Sequence, residues 1–287
     1  MSDDLGFADA SIRADVQSFS HCPGAGCVTP HLQSLRKEGI LLDRHHTYLW
    51  CSPTRRAFLT GRFPVHVTGT QAPTCSNLTP LQFTILSEKL AAVDYEAHFI
   101  GKGTLALVFS AGDHHEPAPS VSGHLGYQTV DNLPINRGFA GHLGFLGGGE
   151  SYTHGELTRC GDGGKADMWK DHEPAVDLVA GDYYNTNFFS QGSVDAVARR
   201  NVSKPFWLHL MHQAVHTGAN RSPPSWEQWP GQPDYMSALS VLDKGIGNLT
   251  AALRSHGMWD NLIFVLSAVR AASFVSYIIL QGSLELG

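Results

Sequence analysis

Cys51 opens the run Cys51-Ser52-Pro53-Thr54-Arg55-Arg56-Ala57-Phe58-Leu59-Thr60-Gly61-Arg62. A cysteine that takes part in bond making acts as a nucleophile. Arg55 puts a cation that does not deprotonate beside it, which suits a negatively charged reactant. Near the start, Asp3 and Asp4 pair two carboxylates, and hard oxygens of this kind suit Ca²⁺ or Mg²⁺. Taken alone, such a pair is equally a solvated chain start. Lys102, His124 and His216 complete the residues of interest, in a chain of 16 histidines, a side chain able to serve as acid, base or ligand near neutral pH.

The elements that must hold these groups can be read from punctuation and periodicity. Residues 29–39 read as a helix, with Thr29 as N-cap, Pro30 in the first helical position and Gly39 as the stop. Ile40 to Leu42 begins a short strand, and Pro53 to Leu59 has helix-start character just after Cys51. Thr79 to Ala92 reads as an amphipathic helix and Ala97 to Ile100 as a strand running into Gly101-Lys102. Residues 111–122 read as a loop, and 136–164 as glycine-dense and irregular. A helix from Phe188 to Arg200, a buried strand from Pro205 to Met211, a long helix from Tyr235 to Gly257 and an apolar strand from Leu262 to Leu266 follow. Helices alternating with short apolar strands predict an α/β fold with a mostly parallel central sheet flanked by helices. Ligand sites in such sheets gather at the carboxyl ends of strands, where Lys102, His216 and the residues after Leu266 fall.

The run from Cys51 to Arg62 resembles the sulfatase signature C-x-P-[S/T]-R-x-x-x-L-T-G-R at every defined position. Asp3-Asp4-Leu5-Gly6 is similar to that family's early D-D-x-G. Residues 205–266 resemble arylsulfatases of the animal B type, the N-acetylgalactosamine-4-sulfatases. The resemblance implies the alkaline-phosphatase-like fold and hydrolysis of sulfate monoesters. It implies oxidation of Cys51 to formylglycine by a formylglycine-generating enzyme that reads Pro53 and Arg55. One hydroxyl of the hydrated aldehyde then attacks sulfur, and the other helps expel sulfate. It further implies Asp3 and Asp4, with the converted Cys51, as ligands of a divalent cation, usually Ca²⁺. Arg55 and Lys102 become positive charges at the nucleophile, His124 an aid to sulfate elimination, and His216, like Lys102, a contact to substrate sulfate. Positive charge is what an anionic ester with a weakly electrophilic sulfur requires.

Departures from the family pattern carry expectations of their own. The family's G-K-x-H-L-G motif is split: Gly101-Lys102-Gly103 is followed by Thr104, and His124-Leu125-Gly126 comes later, so residues 104–123 read as an insertion. No strand precedes Asp3, and Ala268-Val269 stand where the family places Asp-Asn, further metal ligands. The catalytic domain is accordingly expected over 1–267, incomplete, with an aberrant tail over 268–287. Two rivals remain open: a defective sulfatase-like binding protein, and a phosphodiester or phosphonate hydrolase of the same superfamily.

Bulk properties narrow the setting. The 287 residues, 42% hydrophobic and 16% charged, describe a globular chain able to bury a large core. A net charge of −6 argues against a nucleic-acid partner. Five cysteines (Cys22, Cys27, Cys51, Cys75 and Cys160) leave at least one unable to pair within the chain. Sequons at Asn77, Asn201, Asn220 and Asn248 favour the secretory pathway, lysosomal or extracellular, although no signal peptide is read at Met1. The apolar stretch from Leu262 to Leu280 contains Arg270, so a buried strand is expected there rather than a membrane span.

Overall fold

The computed structural model describes residues 1–6, 10, 29–48, 51–67, 79–103, 130–156, 166–181, 183–217, 221–228, 234–269 and 276–281. Along the chain lie α1 (Pro30–Glu38), β1 (Ile40–His45), α2 (Cys51–Thr60), α3 (Pro64–Val67), α4 (Leu86–Ala91), β2 (Glu96–Lys102), β3 (Gly141–Phe145), β4 (Trp169–Lys170), β5 (Glu173–Pro174), α5 (Asn185–Arg199), β6 (Phe206–Met211), α6 (Tyr235–Ser255), β7 (Phe264–Ser267) and β8 (Ser276–Gln281). They divide into two compact units: Met1–Leu49 with Tyr184–Arg199 and His212–Gly287, and Trp50–Tyr183 with Arg200–Met211.

The first unit combines α1, α5 and α6 with an antiparallel sheet in the order β1-β8-β7. Helix α1 starts at Pro30 and stops at Gly39, as the punctuation predicts, but Thr29 makes no side-chain capping bond. Its role passes to buried Asp243 of α6, whose carboxylate accepts the backbone N–H groups of His31 (3.0 Å) and Leu32 (2.8 Å). Those two donors have no partner inside their own helix, so a carboxylate there also meets the positive end of the helix dipole. Helices α5 and α6 approach so closely that a Cβ on Gly245 would lie 2.0 Å from Ser190 Oγ. Residues 276–281, within the segment expected as an aberrant tail, form β8 and pair with both β1 and β7.

The second unit is built on a five-stranded sheet in the order β5-β4-β3-β2-β6. Its longer strands β3, β2 and β6 are parallel, while β4 and β5 add antiparallel rungs at one edge. The α/β class expected from the sequence is therefore observed, with a sheet that is mixed. Helix α2 packs on this sheet through Phe58, which stacks on His209 of β6 with centroids 5.4 Å apart and planes at 12°. Phe99 of β2 sits between His142 and His209, its partners in the strand register, at 5.4 and 5.3 Å.

Two elements differ from expectation. Helix α4 is shorter than 79–92, because Glu88 reaches back to Ile85 N (2.7 Å) and starts the helix there. Strand β3 lies inside the stretch expected to be irregular. Its glycines are what the pairing needs, since a Cβ on Gly144 would stand 2.0 Å from Gly101 O. The expected insertion 104–123 lies outside the described residues.

Candidate active site

Cys51 is the first residue of α2, partly exposed, with its Sγ 3.9 Å from Ser52 Oγ. A helix N-terminus favours negative charge, so the position suits a reacting anion. Arg55 lies one turn further along the same helix face. Its side chain is fully buried, and Nη1 donates to Lys102 O at 3.4 Å, joining α2 to the end of β2. Lys102 is also fully buried. It follows Gly101, whose φ of +99° and position against Met211 O (2.1 Å from an added Cβ) admit no side chain. The backbone of β2 is thus pressed between β3 and β6 at the point where Lys102 is presented. Arg56 was not singled out by the sequence reading. It is 1% exposed, and burial lowers its guanidinium to about 10, with the neighbouring Cys51 pulling the other way. The signal was an arginine pair in a helix whose Ser52, Pro53, Thr54 and Leu59 are all buried. Burying several cations is costly unless anions meet them, which is why such clusters mark anion sites.

The first unit holds a second cluster. Met1–Asp3 run between two segments: His212 N bonds Met1 O (3.0 Å), Asp3 N bonds Ala214 O (2.9 Å) and Val215 N bonds Asp3 O (2.7 Å) on one side. On the other, Ser2 N bonds Ser267 O (3.1 Å) and Val269 N bonds Ser2 O (2.9 Å). This ladder buries Asp3 completely and delivers Asp4 in a left-handed conformation (φ 53°) that aspartate tolerates better than most residues. His216 Nε2 lies 3.6 Å from Asp4 Oδ2, and its Nδ1 faces Thr217 O, which only accepts, so Nδ1 carries the hydrogen. Asp3, Asp4 and His216 are therefore brought together in one unit, and Cys51, Arg55 and Lys102 in the other. His124 lies outside the described residues.

The donor set can be weighed against a cation. Ala268 (1% exposed) and Val269 (0%) are packed beside Ser2, at the positions where the resemblance expects oxygen ligands. Among the described residues no group of three or more His, Cys, Asp or Glu could hold a metal ion. Two carboxylates fall well short of the about six to eight oxygens that Ca²⁺ takes. The described residues thus do not fit a tight calcium site. Conversion of Cys51 meets no such obstacle, because the thiol is free and partly exposed.

Comparison with known proteins adds a family. The family model described as Sulfatase matches residues 1–268. The chain is 30% identical over 278 residues to arylsulfatase J of Mus musculus, covering 93% of this chain and 41% of that protein. It is 22% identical over 291 residues to human (Homo sapiens) N-acetylgalactosamine-6-sulfatase, covering 96% and 50%. The chain thus spans half or less of the length of these two relatives. Among solved structures it resembles Ps i-CgsB in complex with k-i-k-neocarrahexaose, with a TM-score of 0.75 at 18% identity over 100% of this chain and 65% of that one. A second, solved with its substrate D-glucosamine-2-N,6-O-disulfate, gives a TM-score of 0.66 at 15% identity over 98% and 70%. These structural likenesses speak to the fold. The family match takes in Asp3, the Cys51 helix and Ala268 just after β7, and on that match the chain belongs to the sulfatase family.

Proposed function

We propose that this protein is a sulfuric ester hydrolase of arylsulfatase type, with Cys51, converted to formylglycine, as the nucleophile. The observation that carries the reading is the join between α2 and β2: Cys51 at the helix start, buried Arg55 one turn on, and Arg55 Nη1 bonded to Lys102 O. When present, formylglycine supplies a hydrated aldehyde as a strong oxygen nucleophile toward sulfur. Arg55 and Lys102 stabilise the negative charge that develops on the sulfate oxygens, in a buried setting where such charges act strongly. His216 binds the sulfate, and His124 assists its departure. Asp3 and Asp4 are the carboxylates for a divalent cation, but with Ala268 and Val269 beside them no step is assigned to that cation.

A sulfated carbohydrate is the favoured substrate. Supporting this are the neocarrahexaose and glucosamine disulfate bound by the two solved relatives and the N-acetylgalactosamine sulfatase among the curated ones. The B-type resemblance favours N-acetylgalactosamine sulfates. The partner is a formylglycine-generating enzyme reading Pro53 and Arg55, and the setting is the secretory pathway, lysosomal or extracellular. Among the described residues no helix is long and apolar enough to cross a membrane. Asn201, exposed with its Oδ1 accepting from Ser203 N (3.0 Å), is a candidate for glycosylation. Residues 1–267 serve as one catalytic domain carrying an insertion at 104–123.

A second reading, a sulfatase-like protein that binds its ligand without turnover, is favoured by buried Ala268 and Val269. Mass spectrometry of the Cys51 peptide, from protein expressed with the modifying enzyme, together with aryl sulfate turnover, separates the two. An aldehyde with turnover supports the hydrolase. An aldehyde without turnover supports the binding protein, and an unmodified thiol removes the proposed nucleophile.

A further inference from the structure

We propose that the start of α6 is a bracket that sets His216 against Asp4, with Arg221, Asp234 and Tyr235 as positioning residues for sulfate binding. The inference rests on the reading of His216 as a sulfate ligand. Asp234 stands at the N-cap position of α6, where a carboxylate ordinarily accepts a backbone N–H of the first turn. Here it makes no such bond. Both of its oxygens instead take Arg221, Oδ1 from Nε at 2.6 Å and Oδ2 from Nη2. A fork of this kind fixes orientation as well as charge. Helix α6 thereby goes without the side-chain cap that ordinarily steadies a helix start.

The diverted carboxylate has a consequence at the site. Arg221 Nη1 reaches Val215 O (3.4 Å), the residue before His216, and Tyr184 Oη donates to Arg221 O (2.7 Å). The guanidinium lies over the Tyr235 ring, 5.5 Å from its centroid. Tyr235 in turn accepts Gly6 N at its hydroxyl (3.4 Å). The N-cap and first residue of α6 therefore hold both sides of the cluster: Asp234, through Arg221, holds the segment that carries His216, and Tyr235 holds the Asp3–Gly6 segment. The 3.6 Å between His216 Nε2 and Asp4 Oδ2 is the gap that this bracket spans. The pair Arg221–Asp234 is exposed on the Asp234 side (54%) and screened on the Arg221 side (15%), so its worth to global stability is small. Its worth to the placement of an imidazole is larger, because a displacement of about 1 Å is enough to spoil a binding geometry.

The test uses the full chain, titrated with inorganic sulfate by calorimetry for every variant, with the His216 imidazole of ¹⁵N-labelled protein followed by NMR wherever His216 is kept. Asp234→Asn is expected to weaken sulfate binding about tenfold, which is about 1.4 kcal/mol. Asp234→Glu, which can still fork Arg221, is expected to stay within about twofold of the native chain. Tyr235→Phe removes one hydroxyl with little risk to folding and should weaken binding about threefold, in line with one lost hydrogen bond. Native affinity in Asp234→Asn overturns the bracket. So does equal loss in Asp234→Asn and Asp234→Glu that tracks a fall in melting temperature, since that marks a merely structural role. His216→Ala separates the two ideas. If it binds sulfate as the native chain does, the assignment of His216 fails and the bracket with it; if it loses binding while Asp234→Asn keeps it, the bracket alone fails.

Discussion

The two clusters are assembled in different ways. The Cys51 cluster comes from one helix and the end of one strand, with Arg55 a single turn from Cys51 and bonded to Lys102 O. The Asp3–Asp4 cluster comes from three short segments, near residues 3, 215 and 268, joined to one another by a ladder of backbone bonds. The first brings Cys51, Arg55 and Lys102 together among the described residues. The second keeps its backbone ladder but carries Ala268 and Val269 beside the carboxylates. Backbone pairing is indifferent to side-chain type, so a segment keeps its place in a ladder whichever side chains it carries. The α2 residues have less such freedom, because Arg55 both packs in the core and is proposed to meet the substrate's charge.

Four experiments press on that contrast, beginning with the largest effect. Cys51→Ala should lower aryl sulfate turnover by about ten-thousand-fold or more, measured by release of the aryl alcohol from protein made with the modifying enzyme. Surviving turnover would move the chemistry out of the α2 cluster. Gly101→Ala should cost about 3 kcal/mol in urea denaturation, because a side chain there meets both a positive φ and the Met211 carbonyl. Gly61→Ala, at φ +66° with open space around it, should cost only about 1 kcal/mol. Equal costs would mean that β2 is not pinned at Lys102.

The third experiment restores what the weaker cluster lacks. The double variant Ala268→Asp, Val269→Asn should gain about 2.7 kcal/mol of stability from Ca²⁺ at a hundred times its dissociation constant, read as a rise in melting temperature. The native chain should respond much less. Equal responses would show that positions 268 and 269 are irrelevant to the cation. The smallest effect concerns the sheet beneath the Cys51 helix. Burial lowers His142 from 6.5 to about 3, so between those values the unfolded chain binds the extra proton and the folded one does not. Stability from this group is present above pH 6.5 and lost as pH falls, by about 1.4 kcal/mol per unit. His142→Phe should flatten that slope in urea titrations between pH 7 and 5; an unchanged slope would assign it to other groups.

Much of the architecture was legible before any coordinates. Pro30 and Gly39 bound α1, and the apolar run after Pro205 became β6. Cys51 and Arg55 could be named because one contiguous motif carries them, and Lys102 from the first half of a split one. What escaped notice was non-local. Strand β3 hides in glycines that look like a loop until β2 lies beside them. Arg56 occupies an undefined position of the signature, and only the packing of α2 buries it.

By itself, the sequence determined the helix and strand periods, the punctuation that bounds them and the residue types of a sulfatase signature, because each depends on neighbours within a turn or a few residues. The tertiary structure decided who caps α1, where Asp243 acts across 211 residues in place of adjacent Thr29. It decided too that Gly101 and Gly144 meet backbone to backbone, and that Ala268 lies beside Ser2. Burial and close approach are properties of pairs distant along the chain, and they come into being only when the elements pack.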